Sequence, residues 1–429
     1  MGATDLDLTL ELTSLCGAVN VSALERMGPR QAPGAPSWVV RPGAAGEVAE
    51  IVRLAARHRV PIVPLGTATR RFARGGPLKA SIVVDLRRMT HVLSVDETSL
   101  VVHAQAGLTG LRLEELLGHR GLSLGDFPPA ALRSSLGGLV AVRTPGKSSP
   151  RHGFFEDAVL AISAVLGDGR MVHTRLAPRR ATGPNLVRAL LGAEGTLGIV
   201  TSLHLRVTRR PEARQLASWR VPDVAAGVEG VLALLRADAR PAAVRIFDAR
   251  ASMLELNERI APREAIVTLA TAGVAELTRL DRELAGELLE ARGGVALGAE
   301  PAERWWRARH GHVVPGVTAA PPPQLTLSAP PSALVRTYHA VREAALASGA
   351  AGAYAYFSRF DDDGAVIFVG LENPKPETRA EIERAAHDAG ASLLGDQDVS
   401  MRPYLADLRR SLDPAGVLNP DVLTISAVP

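Results

Sequence analysis

The sequence predicts an α+β protein with two main domains, and three observations lead to this fold class. Segments with helical and strand-like hydrophobic spacing alternate through the N-terminal half of the chain. The pattern changes after Pro211, where longer helices and strands follow one another. The chain has 429 residues, which is more than a single hydrophobic core usually holds. We therefore expect a first domain of α/β units followed by a separate α+β domain.

The elements of the first half follow from the spacing of apolar residues and from the turns between them. Glycine-rich turns separate the predicted elements, and the turn Gly167-Asp168-Gly169 is typical of a β-hairpin. The predicted helices are 44–59 and 110–119, and the predicted strands are 59–64, 81–86, 99–106, 158–166 and 171–175.

The second half is predicted in the same way. The proline-rich stretch 321–331 is predicted to be a rigid connection. The predicted helices are 224–237, 274–292, 334–348, 375–389 and 403–412, and the predicted strands are 243–248, 265–271, 353–359 and 365–371.

Composition argues against several classes of function. Lys and Arg together number 49 against 45 Asp and Glu, and the basic residues form no tract, so a nucleic-acid partner is not expected. No apolar run approaches the length of a membrane-spanning helix. Cys16 is the single cysteine, and the first residues carry no export signal, so we expect a cytoplasmic protein without disulfides.

Four glycine-bearing segments carry the main chemical signal. They are residues 63–70, 134–138, 181–185 and 192–201. Glycine has no Cβ and adopts positive φ, so such turns let backbone N–H groups converge on an anion such as a diphosphate. Any one of these segments could also be no more than a tight turn. The set predicts a ligand that contains phosphate.

Taken together and in this order, the four segments resemble the FAD-binding domain of the vanillyl-alcohol oxidase and p-cresol methylhydroxylase (PCMH) family. Within that family the likeness is greatest to alkylglycerone-phosphate synthase and to the glycolate and D-lactate oxidases, and residues 412–420 resemble the family's C-terminal segment. The resemblance implies a PCMH-type domain of two α/β subdomains plus an α+β substrate (cap) domain, with FAD as cofactor. The implied divisions are an N-terminal helical segment (1–33), the FAD-binding domain (34–212), the substrate domain (213–385) and a C-terminal segment packing back on the FAD domain (386–429).

The resemblance also assigns cofactor-binding residues. The family's diphosphate loop is usually Gly-Gly-Gly-Thr-Ser, whereas this chain has Gly-Thr-Ala-Thr-Arg at 66–70, with side chains where bare backbone is expected. Arg70 could add positive charge next to a diphosphate. The implied cofactor-binding residues are Pro64, Gly66, Thr67, Ala68, Thr69, Arg70, Ser134, Ser135, Gly137, Gly138, Glu194, Gly195, Gly198 and Ile199.

Two residues of the second half match substrate-binding positions of the synthase. Arg245 aligns with an arginine that holds the substrate's anionic group, and a planar guanidinium suits a carboxylate or phosphate. A surface ion pair with Asp248 is the alternative. Tyr356 aligns with an active-site tyrosine able to donate or orient a proton. A core tyrosine on a strand is the alternative.

The family's proton-handling histidines are replaced in this sequence. Asp126 stands where one is expected, and residues 390–399 contain Asp396 and Asp398 but no histidine. These carboxylates could take over a catalytic role, or they could simply be solvated acids. His310 and His312 are too few ligands for a zinc site, so no metal is expected.

The resemblance implies an FAD-dependent, oxidoreductase-like enzyme that acts on a small or lipid-like anionic substrate. A hydroxy acid and an acyl or alkyl glycerone phosphate are the candidate substrates. The alternative is a non-catalytic or repurposed homologue, with or without flavin, that serves as a subunit or scaffold for a partner enzyme. By family precedent, a homodimer or a partner subunit is possible.

Overall fold

The computed structural model describes residues 3–23, 37–69, 81–125, 127, 129–143, 149–177, 184–312, 325–349, 352–372, 376–394, 401–420 and 422. Within these ranges the strands form sheets of four, five, two and eight strands. Helices pack on the larger sheets, so the predicted α+β class is confirmed.

The first sheet is small and mainly parallel, with strand order β1-β2-β4-β3. The pairs β2–β4 and β3–β4 are parallel, and β1 is antiparallel to β2. Helix α2 buries Val48, Ile51 and Val52 against it, as the spacing predicts. The elements are α1 (Ala3–Cys16), β1 (Val21–Ala23), β2 (Ser37–Val40), α2 (Ala45–His58), β3 (Ile62–Leu65) and β4 (Ser81–Asp85).

The second sheet is antiparallel, with strand order β5-β6-β10-β8-β9, and β7 and β11 pair separately. Thr109, Ser135 and Asn185 cap the helices α3, α5 and α7 through their side-chain oxygens. The elements are β5 (Val92–Asp96), β6 (Val101–Gln105), α3 (Gly110–Gly118), β7 (Leu122–Ser123), α4 (Pro129–Leu132), α5 (Leu136–Ala141), α6 (Ser149–His152), β8 (Val159–Val165), β9 (Met171–His173), α7 (Leu186–Leu190), β10 (Ile199–Arg206) and β11 (Thr208–Arg209).

The third sheet belongs to the second half of the chain and has strand order β15-β12-β14-β13-β17-β18-β16-β19. Its neighbouring strands are all antiparallel. The elements are β12 (Ala213–Val221), α8 (Val224–Arg236), β13 (Ala243–Asp248), α9 (Ala249–Ala251), β14 (Ala265–Gly273), α10 (Ala275–Glu290), β15 (Val295–Gly298), α11 (Glu300–Arg309), β16 (Leu325–Ala329), α12 (Leu334–Ala347), β17 (Gly352–Asp361), β18 (Gly364–Glu372), α13 (Pro376–Asp388), β19 (Ser392–Leu393) and α14 (Arg402–Leu412).

The two faces of the third sheet differ in what covers them. One face carries Val244, Ile246 and Phe357 and packs under the helices α8, α10, α12 and α13 in a large apolar core. The opposite face carries Phe247 and Tyr356 in a smaller, aromatic cluster. Because side chains alternate along a strand, neighbours in sequence serve different faces.

The second half contains elements that were not predicted, among them the strands β12, β15, β16 and β19, and two of these strands change its organisation. The stretch 321–331, predicted as a rigid connection, contains the strand β16, which pairs with β18. Strand β19 also pairs with β16, so this sheet extends beyond residue 385 into the segment predicted as C-terminal. Both strands are held by backbone pairing with distant residues, which hydrophobic spacing does not reveal.

The C-terminal segment returns to the first half of the chain. The N–H of Gly167 donates to the carbonyl of Leu412 at 2.8 Å, and Leu418 forms a parallel bridge with Ile62. Residues after α14 are therefore held beside β3.

Candidate cofactor and substrate sites

A groove lies between the first and second sheets, where three glycine-bearing loops meet. The end of β3, the start of α5 and the loop before β10 form its walls. The lining residues are Pro64, Leu65, Gly66, Leu86, Ser135, Gly137, Gly138, Ala141, Leu190, Glu194, Gly195, Gly198, Ile199 and Val200.

Close approach between the first two walls requires glycine at position 66. A Cβ on Gly66 would lie 2.0 Å from the Ser135 hydroxyl oxygen. The N–H of Ser135 donates to the Thr67 hydroxyl at 3.2 Å, and the hydroxyls of Thr69 and Ser134 are 2.5 Å apart. The loop after β3 and the loop before α5 are thus joined side by side.

The loop after β3 also offers hydrogen-bond donors. Over the described residues, the backbone N–H groups of Gly66 to Thr69 donate to no protein acceptor. Ala68 has a φ of 53°, the left-handed conformation that favours glycine. This explains why the family pattern has glycine in this loop. Backbone N–H groups without a protein acceptor suit an anionic oxygen of a diphosphate.

The third wall bends through two residues with positive φ. Glu194 has a φ of 48° and Gly195 a φ of 77°. A Cβ on Gly195 would lie 2.8 Å from the Pro64 ring. The N–H of Glu194 donates to the carbonyl of Ala141 at 3.0 Å, which fixes this wall to the end of α5.

The groove brings together most of the residues that the sequence assigned to the cofactor. Thr67, Ala68, Thr69 and Ser134 lie on the adjoining loops, and Arg70 lies outside the described residues. A close approach that only glycine permits, and N–H groups beside it that have no acceptor among the described residues, fit a dinucleotide cofactor with a diphosphate. The lining residues are Pro64, Gly66, Ser135, Gly137, Gly138, Glu194, Gly195, Gly198 and Ile199.

A second constellation lies on the aromatic face of the third sheet, around Arg245. Arg245 is 5% exposed, its Nη1 donates to the Glu255 carboxylate at 2.8 Å, and its guanidinium lies 4.2 Å from the centre of the Tyr356 ring. Trp305 and Phe247 also face the guanidinium. The alternative of a surface ion pair with Asp248 is therefore wrong, because Arg245 is buried and pairs with Glu255.

Tyr356 is held between an arginine and a second aromatic ring. Its ring stacks on Phe368 with centres 4.7 Å apart, and the guanidinium of Arg359 lies 4.8 Å from the centre of the Phe368 ring. Burial raises the pKa of the Tyr356 hydroxyl, and the negative charge of Glu255 raises it further. The positive charges of Arg245 and Arg359 act in the opposite direction and lower this pKa. The hydroxyl therefore stays protonated near neutral pH and acts as a hydrogen-bond donor.

Sequence reasoning missed several members of this cluster. Glu255 and Phe368 carry no motif, and Arg359 combines a φ of 57° with a register shift in β17 that only the fold reveals. Trp305 could have been found from the sequence, because the pair Trp305-Trp306 is typical of a packed or ligand-facing helix. The buried indole N–H of Trp305 and Nε of Arg245 have no hydrogen-bond partner in the described part of the chain.

Asp248 has a structural role on the helix-covered face. Its carboxylate accepts from the N–H groups of Ala251 at 2.8 Å and Ala355 at 2.9 Å, capping α9 and joining β13 to β17. Burial raises its pKa to about 6, although these hydrogen bonds and Arg342 act to lower it.

Helix α6 connects the two halves of the molecule. It contacts both β13 and β17, and the Arg151 guanidinium donates to the carbonyl of Ala272. His152 packs against Gly125, with its Cγ 3.3 Å from the position of a Cβ on that glycine. Asp126 and Asp396, the predicted substitutes for the family histidines, lie outside the described residues, as does Asp398.

Family models match both halves of the chain. The FAD binding domain model matches residues 36–175, and the model for the C-terminal domain of FAD linked oxidases matches residues 210–396. The chain belongs to the FAD-linked oxidase family. Its cofactor is FAD, as predicted.

Curated relatives match about half of this chain. Alkyldihydroxyacetonephosphate synthase of Caenorhabditis elegans is 30% identical over 220 residues, 50% of this chain and 37% of the relative. The probable mitochondrial D-lactate dehydrogenase of Danio rerio is 32% identical over 217 residues, 50% of this chain and 43% of the relative. Glycolate oxidase subunit GlcD of Bacillus subtilis is 28% identical over 215 residues, 50% of this chain and 46% of the relative. Each match thus spans less than half of the relative.

Solved structures share the fold over nearly the whole chain. A structure of alkyldihydroxyacetonephosphate synthase aligns with a TM-score of 0.79 at 20% identity, covering 97% of this chain and 84% of that one. Substrate-bound p-cresol methylhydroxylase aligns with a TM-score of 0.74 at 13% identity, covering 98% and 97%. The predicted PCMH-type fold is confirmed.

Two further observations concern the described part of the chain. No helix there is both long and apolar enough to cross a membrane. No group of three or more metal-ligating side chains is found among those residues. The comparisons give no support to a non-catalytic scaffold.

Proposed function

We propose that this FAD-linked oxidase oxidises a small substrate that carries a single carboxylate, with a hydroxy acid as the first candidate. The observation that carries the proposal is the buried pair of Arg245 and Tyr356 on the aromatic face of the third sheet. A buried guanidinium beside a protonated phenol suits a substrate with an anionic group and a neighbouring oxygen.

Glu255 favours a monoanion over a phosphate ester. Its carboxylate already holds Nη1 of Arg245 and offsets one positive charge, so a dianionic group would meet repulsion there. Nε of Arg245 and the indole N–H of Trp305 remain as donors for a carboxylate oxygen. Glycolate and D-lactate, named in two relatives, fit this description better than dihydroxyacetone phosphate.

The flavin, when bound, supplies the redox chemistry, and the protein supplies binding and orientation. In this proposal Arg245 binds the carboxylate, and the Tyr356 hydroxyl donates a hydrogen bond to the substrate oxygen.

Anaerobic mixing with candidate substrates tests the proposal. We expect glycolate or D-lactate to bleach the visible absorption of the bound flavin. In Arg245→Met, kcat/KM for that substrate should fall about 100-fold or more at unchanged FAD content. Arg250→Met is the matched control, since Arg250 lies five residues away, is half-exposed and pairs with Glu372. Exchange of the acyl group of an acylated dihydroxyacetone phosphate without bleaching would contradict the proposal.

A further inference from the structure

The last described stretch of the chain lies beside two walls of the cofactor groove. The N–H of Ile62 donates to the carbonyl of Val417 at 2.7 Å, and the N–H of Asn419 donates to the carbonyl of Ile62 at 2.7 Å. Asn419 is thereby fixed beside Ile62 of β3, and Ile62 lies two residues before the groove residue Pro64. A distant part of the sequence has become a neighbour of the first wall.

The side chain of Asn419 reaches the third wall of the groove. Its Nδ2 donates to the carbonyl of Glu194 at 2.6 Å, and the residue is 8% exposed. Glu194 lines the groove in a left-handed conformation, with a φ of 48°. Such a conformation persists in a non-glycine residue only when its surroundings hold it. The amide of Asn419 therefore ties the third wall to β3.

The other polar atom of the Asn419 amide is its carbonyl oxygen, Oδ1. Asn419 Oδ1 is buried and accepts no hydrogen bond from the described residues. A buried acceptor without a donor is costly, so proteins seldom keep one unless a ligand or a water molecule satisfies it. A flavin carries N–H and hydroxyl donors, and the residue that Asn419 holds lines the groove that fits FAD.

We propose that Asn419 is a positioning residue of the FAD site. Its Nδ2 fixes the strained Glu194–Gly195 wall, and its Oδ1 accepts a hydrogen bond from the flavin, either from the ring N–H or from a ribityl hydroxyl. Asn419 itself has a φ of 37°, a conformation in which Asn is favoured over most residues. The inference concerns the cofactor alone and holds whatever the substrate is.

Two variants of the full-length protein test the inference. Asn419→Gly tolerates the positive φ and removes the amide, and Asn419→Asp keeps the shape and an acceptor oxygen but loses the donor. We expect the dissociation constant for FAD, measured from flavin fluorescence on titration of the apoprotein, to rise about tenfold in Asn419→Gly. Asn419→Asp should also weaken binding, because its carboxylate faces the Glu194 carbonyl. The absorption maxima of bound flavin should shift in both variants.

Asn257→Gly is the matched control. Asn257 also has a positive φ, of 55°, but it is exposed and lies in the second half of the chain. Its FAD affinity and flavin spectrum should match the unmodified protein. Unchanged FAD affinity in Asn419→Gly would overturn the inference, as would an equal loss in Asn257→Gly. If Asn419→Gly does not fold, Asn419→Asp decides by the same titration.

Discussion

The cofactor groove and the aromatic face of the third sheet are built in different ways. The groove is made mostly of backbone, where glycines such as Gly66 let loops approach each other closely. The aromatic face is made of side chains from separate elements, as in the column that runs from Arg245 through Tyr356 and Phe368 to Arg359. A backbone site depends on short local motifs, whereas a side-chain site depends on which strands become neighbours. Substitutions should therefore separate the two sites cleanly.

The largest effect of a substitution on FAD affinity is expected in the cofactor groove, the site made mostly of backbone. In Gly66→Ala, the new Cβ would lie 2.0 Å from the Ser135 hydroxyl and 3.0 Å from its Cβ, so the loops must separate. We expect FAD affinity to fall roughly 100-fold or more, measured by flavin fluorescence, since a displaced loop loses several hydrogen bonds at once. Gly46→Ala, where a Cβ meets no atom within 4 Å, should bind FAD normally. Normal affinity in Gly66→Ala would mean that the close approach is not needed.

At the side-chain site, Tyr356→Phe should reduce kcat without loss of FAD. The substituted ring keeps its stack on Phe368 and its contact with Arg245 but lacks the donor hydroxyl. We expect a fall in kcat of about 10- to 100-fold, the range typical of one lost hydrogen bond to a reacting group. Tyr338→Phe, on the helix-covered face, should leave kcat unchanged. A similar loss in both variants would show that general packing is responsible.

The pH dependence of stability tests whether the helix-covered face is independent of both sites. Asp248 has a pKa of about 6 in the folded protein, above the value of about 4 for an unfolded chain. The folded protein therefore favours the protonated Asp248 carboxyl. The stabilisation that this protonation provides is complete below about pH 4 and is lost as the pH rises through 6. The free energy of unfolding of the unmodified protein, relative to Asp248→Asn, should fall by about 2 kcal/mol between pH 4 and pH 7. Urea denaturation measures it, and a rise across this range would contradict the assignment.

The smallest effect is expected at Ala68. Its φ of 53° is unfavourable for alanine, so Ala68→Gly should relieve strain in the loop after β3. We expect FAD binding to tighten by no more than about a few-fold, because the relaxed loop can present its N–H groups to the diphosphate at a smaller conformational cost. Arg59→Gly, at a φ of 54° at the end of α2, should raise the melting temperature without changing FAD affinity. Equal effects of both variants on FAD affinity would show that the conformation of Ala68 has no specific influence on the cofactor groove.

The sequence by itself determined the FAD-binding half in considerable detail. Three of the four glycine-bearing loops that resemble the family reappear as the walls of the groove, because each wall depends on a few consecutive residues with fixed conformational needs. Residues 181–183 of the fourth loop lie outside the described residues. Helix α2 was likewise predictable, since the burial of Ile51 and Val52 follows from helical spacing.

Only the tertiary structure decided the remainder. Glu255 as the partner of Arg245, Phe368 as the partner of Tyr356, and Asn419 as the link to Glu194 all join residues from different elements. Hydrophobic spacing records which face of an element is buried, but it does not record which other element covers that face. The identity of those partners depends on strand order and on where the chain returns, and both are properties of the folded molecule.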